Sequence, residues 1–135
     1  MSLFRFGVLA LALGVLSGCG PSGPRRVPVS GTVTLEGQPL RQGEIYFKTP
    51  GAGTPPEILA VVDGKFAGEV TVGKKRVEVW AVKKMGKSGG MAMGEPLMLN
   101  LVRDDYSVNS KLTAEVAEAG LEPSSFQVKA NPEAK

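Results

Sequence analysis

The 135-residue sequence contains one thiol, Cys19, and no histidine, so it lacks both the commonest general base and the commonest metal ligand. Ser-His-Asp and zinc-hydrolase chemistry are excluded on that ground. Hydrolysis by an acid and base pair needs two carboxylates facing one cleft. The candidates are Asp104 with Asp105 and Glu115 with Glu118. Adjacent residues on a strand point to opposite faces, and the second pair reads as ordinary solvent-face charge. Gly86-Lys87-Ser88 echoes the end of a phosphate-binding loop, but that motif requires a glycine where Ala81 stands, and a helix to follow. No catalytic residue and no cofactor is expected.

Two clusters are suited to binding instead. Met85, Met91, Met93 and Met98 lie within fourteen residues, and soft thioethers are ligands for Cu(I). No Cys or His supports them, and methionine commonly fills irregular gaps, so adaptable packing or a partner surface is expected, with metal carriage as the alternative. Lys74, Lys75, Arg76, Lys83, Lys84 and Lys87 form the one strong charge asymmetry. Lys74 and Arg76 should share a strand face, and with Lys83, Lys84 and Lys87 they offer a surface to anionic polysaccharide or lipid headgroups. The bland use of such a row is to guard a sheet edge against aggregation.

Cys19 takes its meaning from its position. It closes an apolar run, Phe6 to Leu16, preceded by the single cation Arg5, which is the layout of an export signal. Eleven residues containing Gly7 and Gly14 fall short of the roughly 20 needed to span a bilayer. Leu16-Ser17-Gly18-Cys19 resembles the lipobox of bacterial lipoproteins, in which an apolar residue and two small ones precede a cysteine that receives a diacylglycerol before cleavage. That resemblance makes residues 1–18 a signal peptide and Cys19 the first mature residue, held by at least two acyl chains where one gives only marginal binding. Gly20 is not the acidic residue that, by resemblance to enterobacterial lipoproteins, favours inner-membrane retention. The expected location is the envelope, on the outer membrane facing the periplasm. Gly20-Pro21-Ser22-Gly23-Pro24 begins a flexible spacer, residues 19–26.

The remaining chain supports one domain, 27–130. With Cys19 acylated no disulfide or Cys-based metal site is available, so stability must come from a core. The net charge of +3 includes Arg5, and no nucleic-acid footprint is read in it. Val27, Val29, Val33 and Leu35 alternate with polar residues as in a half-buried strand, with Gly31 on the inward row marking a bulge or a close backbone approach. Residues 36–40 read as a turn, 43–48 as a strand and 49–56 as an irregular break. Glu57–Val62 and Lys65–Val70 flank Asp63-Gly64, a dipeptide suited to a tight primed hairpin turn. Residues 74–84 form the longest strand, with Val77, Val79 and Ala81 opposite Arg76, Glu78 and Trp80; Trp80 and Val82 imply that their face is covered at this end. Residues 85–95 read as loop. Leu97–Val102, Lys111–Glu118 and Ser125–Ala130 complete the strands, and 131–135 as a frayed tail. Seven or eight such strands without a convincing helix indicate an antiparallel β-sandwich.

The order of these motifs resembles a family of small lipoproteins abundant in planctomycete bacteria and related to transthyretin-like and carboxypeptidase-regulatory-like β-sandwich domains. The resemblance lies in Val29-Ser-Gly-Thr-Val-Thr-Leu-Glu-Gly-Gln-Pro-Leu40, Gly43-Glu-Ile-Tyr-Phe47, Asp63-Gly64-Lys65-Phe66, Val72-Gly73-Lys74 and the segment Leu101 to Val116. Val102, Asp105 and Ser107 depart from that last segment's usual proline, lysine and asparagine. The resemblance implies a transthyretin-like or Ig-like fold and an envelope location, and it carries no catalytic motif. The functional expectation is a non-enzymatic, lipid-anchored structural or binding module with an envelope protein or glycan as partner. The alternative is a carrier of a small ligand or of a metal such as copper that uses the Met-rich loop 85–98.

Overall fold

The computed structural model describes residues 23–84 and 98–134. Cys19, the signal peptide, Lys87, Met85, Met91 and Met93 lie outside the described residues. Each predicted alternation within them is a strand: β1 (Arg26–Leu35), β3 (Gln42–Lys48), β4 (Glu57–Val62), β5 (Lys65–Thr71), β6 (Gly73–Trp80), β8 (Met98–Asn100), β9 (Leu112–Ala117) and β11 (Ser125–Val128). Three short strands add to these: β2 (Gln38–Pro39), β7 (Val82–Lys84) and β10 (Gly120–Glu122). The expected 74–84 strand is two because Ala81 leaves the ladder, its N–H held by the Asn100 Oδ1 at 3.2 Å and its carbonyl by the Leu101 N–H at 2.7 Å. Residues 132–134, expected to fray, form a 3-10 turn, and Asn131 donates its N–H to the Leu101 carbonyl at 2.7 Å.

The fold is all-β, a curled sheet of mostly antiparallel strands in the order β10-β9-β6-β3-β4-β5-β1-β11, with β2 against β1 and a separate β7-β8 pair. The exception to antiparallel pairing is β1 with β11, which run parallel. Strand β11 arrives from β10 across the curl rather than through a hairpin, so nothing obliges it to reverse. Because β10 and β11 close the two ends of the path and are joined by Pro123-Ser124, the sheet curls until β1 lies near β9 and β10.

The inward rows fill that curl. Val27, Val29 and Val33 of β1, Ile45 and Phe47 of β3, Val61 of β4 and Val77 and Val79 of β6 are all buried. Phe47, Phe66 and Phe126 run through the middle, with successive ring centroids 6.1 and 6.3 Å apart. Asp63 and Gly64 both have positive φ, 49° and 77°, as the primed hairpin requires, and Glu36-Gly37 repeats the device between β1 and β2. Gly31 is the close approach its place on the inward row predicted. A Cβ there would sit 2.1 Å from the Ser124 carbonyl oxygen and 2.5 Å from Phe66 Cζ.

One seam interrupts the sheet. Strands β4 and β5 share only the pair Val62–Lys65 beside their turn. Beyond it, side chains take over from the ladder: Leu59 lies over Gly68, and the Glu57 carboxylate accepts the Thr71 N–H at 3.1 and 3.2 Å.

Candidate functional site

The curl has two unlike ends. At one end meet the starts of β1, β4 and β6 and the ends of β3 and β5, and it is plugged by charge. Lys75 continues the inward row of Val77 and Val79 and is 2% exposed. Its ammonium donates to Thr71 Oγ1 at 2.5 Å, Thr49 Oγ1 at 2.7 Å and Glu57 Oε2 at 3.3 Å. Glu57, on the inward row of Leu59 and Val61, also accepts from Arg26 at 2.8 Å and from the Thr71 hydroxyl at 2.7 Å. A buried ammonium needs this complement, because an unpaired charge in the interior is strongly destabilising.

A second ionic cluster lies on the outer face of β3 and β6, where Tyr46 opposes Glu78 and Lys48 opposes Arg76. Glu78 is 1% exposed despite facing outward. Its Oε1 accepts from Arg76 at 2.6 Å and Lys48 at 2.7 Å, and its Oε2 from the Trp80 indole at 3.1 Å. The Tyr46 and Trp80 rings stand 6.1 Å apart. The neighbouring long side chains thus roof the carboxylate.

For both glutamates, burial alone would push the carboxyl up, but hydrogen bonds outweigh it. Thr71 and Lys75 hold Glu57 below the ordinary value of 4.5, and Lys48, Trp80 and Arg76 do the same for Glu78. A depressed folded-state value means the unfolded chain binds protons first, so this stability is fully present above about pH 4.5 and is lost as pH falls through the folded values. Urea midpoints should therefore be flat near neutrality and drop steeply below pH 4.5. The Glu78→Gln variant should show a shallower drop, and an unchanged profile would mean that Glu78 is not held this way.

The opposite end is an apolar cleft of about 820 Å³, between the β1–β2 turn, the start of β3, the end of β4 and the β7-β8 pair. Leu40 and Val61 are buried in its floor, and Leu35, Trp80 and Leu101 are half-buried around them. Val62, Val82 and Met98 stand at its rim with 59%, 52% and 52% exposure. Five large apolar side chains are exposed among the described residues, and three of them are on this rim. Clustered rather than scattered, these side chains make the cleft the candidate binding site among the described residues. The face at Trp80 and Val82, expected to be covered, is covered in part: Trp80 packs on Tyr46, whereas Val82 points to solvent because the chain turns out of the ladder at Ala81.

No protein-family model matches the chain. No curated protein matches it either. Among solved structures it is similar to the crystal structure of a DUF3823 family protein from Parabacteroides merdae, with 17% identity and a TM-score of 0.37. That likeness covers 82% of this chain and 48% of the other, so the chain spans about half that protein's length.

The cations expected to form one surface are divided. Lys74 is exposed at the plugged end opposite Glu115, Lys75 is buried, and Arg76 is engaged by Glu78 and the Val108 carbonyl. Lys83 and Lys84 lie on β7, nine and ten residues beyond Lys74 and past the break at Ala81. Lys83 lines the cleft. Asp104 and Asp105 are exposed in a 3-10 turn with Asp105 on Arg103 at 2.5 Å, and Glu118 pairs with Arg25. Among the described residues no three of His, Cys, Asp and Glu gather as a metal site, and Met98 is the one described member of the methionine cluster.

Proposed function

We propose that the chain is a non-enzymatic, lipid-anchored module of the bacterial cell envelope, tethered through Cys19 and binding its ligand in the apolar cleft. The reading takes the fold to be a transthyretin-like sandwich. The β4–β5 seam favours this, since it divides the curled sheet into two halves over one core.

The observation that carries the reading is the polarity of β1. Its ten residues, about 33 Å of strand, run from Arg26 at the plugged end to Leu35 at the cleft. The Arg25 carbonyl accepts the Val72 N–H at 2.9 Å, which fixes the chain's entry to the plugged end. Six residues, Gly20 to Arg25, separate that point from Cys19 and span at most about 20 Å. An anchor at Cys19 therefore holds the ionic end close to the bilayer and leaves the cleft at the opposite end, able to face the periplasm. No helix among the described residues is long and apolar enough to cross a membrane. The outer membrane is the favoured site, as Gly20 suggests.

The alternative of a small-ligand carrier shares this cleft. Met98 lines it and offers an adaptable apolar contact to such a ligand.

Fractionation of expressing cells tests the attachment. The wild-type chain should sediment with membranes and partition into detergent, and Cys19→Ala should leave both fractions. A Cys19→Ala chain that sediments like the wild type would refute the anchor.

A further inference from the structure

We infer that the cleft takes a single-chain anionic amphiphile, an aliphatic tail with one acidic head group. This rests on the cleft being the binding site and goes further by naming the ligand's chemistry. The floor is aliphatic, with Leu35, Leu40, Val61 and Leu101, and Val62, Val82 and Met98 continue it at the rim, while the lining amides Gln38 and Gln42 are exposed. Trp80 supplies one aromatic edge. An aliphatic tail matches such walls better than a sugar or a nucleotide, which would require hydrogen-bonding groups in the floor. The volume, about 820 Å³, lies in the range of roughly 300–1,000 Å³ typical of small-molecule sites.

The head group follows from the charges at the mouth. Arg41 and Lys83 both line the cleft and are exposed, and among the described residues neither has an ion-pair partner. Other described lysines are unpaired as well, but Arg41 and Lys83 are the two described cations that line the cleft. Among the described residues the lining holds one carboxylate, Glu44, and it accepts the Tyr46 hydroxyl at 2.9 Å. Among the described residues two lining cations without ion-pair partners face one carboxylate, a net positive mouth that favours an anion at the rim of an apolar trough.

The chain reports its own occupancy, because Trp80 is the single tryptophan and lies in the cleft. A bromine on the ligand tail quenches indole emission at contact range. The full-length chain should be titrated with 11-bromoundecanoate, with the neutral 11-bromoundecanol and with 11-bromoundecyl phosphate, all below their aggregation thresholds. The two acids should quench Trp80 saturably, with the alcohol binding about 5-fold more weakly. The double variant Arg41→Gln, Lys83→Gln should remove that preference while keeping the wild-type melting temperature, since rim-exposed ion pairs contribute a few-fold each. Tighter binding of the carboxylate would point to a free fatty acid, and tighter binding of the phosphate to a phospholipid-derived acid; either result supports the inference. Equal quenching by acid and alcohol, unchanged in the double variant, would overturn the anionic head group and leave the cleft as a binding site. Absence of quenching by all three would overturn the amphiphile altogether, and the Cys19 anchor would still stand on its own fractionation result.

Discussion

Glu57→Ala is expected to lower the stability of the folded domain by about 3 kcal/mol, because it leaves a charged ammonium inside the curl with its counter-ion gone. Lys75 is 2% exposed, and its remaining partners would be the hydroxyls of Thr49 and Thr71. The Thr71 N–H and the Arg26 Nη1 lose their acceptor in the same step, while the Arg26 Nη2 keeps the Glu69 carbonyl. For a domain of this size the melting temperature should fall by roughly 12 °C, measured by circular dichroism. The double variant Glu57→Leu, Lys75→Met should recover most of that loss, since well-packed apolar replacements of buried ion pairs are often neutral or stabilising. A single-variant cost below about 1 kcal/mol would mean that Lys75 reaches water when its partner is removed, and that the end is not plugged as described.

Gly31→Ala should be as damaging for a steric reason. Its Cβ would stand 2.1 Å from the Ser124 carbonyl oxygen, a backbone atom that also accepts the Thr32 N–H at 2.9 Å, so the neighbour cannot yield without breaking the junction of β10 and β11. The Phe66 ring, 2.5 Å away, is itself packed between Phe47 and Phe126. Overpacking of this kind costs about 1–3 kcal/mol, and the backbone clash places it at or above the top of that range. The expected readout is a lowered urea midpoint or loss of soluble protein. Gly37→Ala is the informative contrast: its Cβ would meet nothing within 4 Å, and its cost should be limited to the strain of a φ of +78°, about 1 kcal/mol. Equal tolerance of the two substitutions would show that β1 does not approach Ser124 so closely.

The strands were legible because one face of each is buried. Val27, Val29 and Val33, or Val77 and Val79, declare the inward row by period alone, and Asp63-Gly64 declares its turn by the positive φ it supplies. Gly31 was legible as a bulge or a close approach, and it is the second, with Ser124 as a partner that the sequence did not indicate. Lys75 and Glu57 were readable as well, since each falls in register with buried valines, but their charge argued for the surface. The burial of Glu78 was not readable, because it depends on Lys48 and Trp80 being brought over it by the β3–β6 register. Neither the parallel β1–β11 pairing nor the three residues of β10 left a periodic signal, and both are set by how the sheet closes. The cleft escaped for the same reason. Leu35 with Leu40, Trp80 with Val82, and Met98 come from three separate stretches that only the curl assembles.

The attachment at one end and the binding site at the other both depend on what happens to Cys19. The intact mass of the mature chain, isolated from envelopes in detergent, tests that most directly. The proposal predicts a chain beginning at Cys19, without residues 1–18, carrying at least two acyl chains on that residue. A mature chain with an unmodified thiol, or one that begins elsewhere, would contradict it.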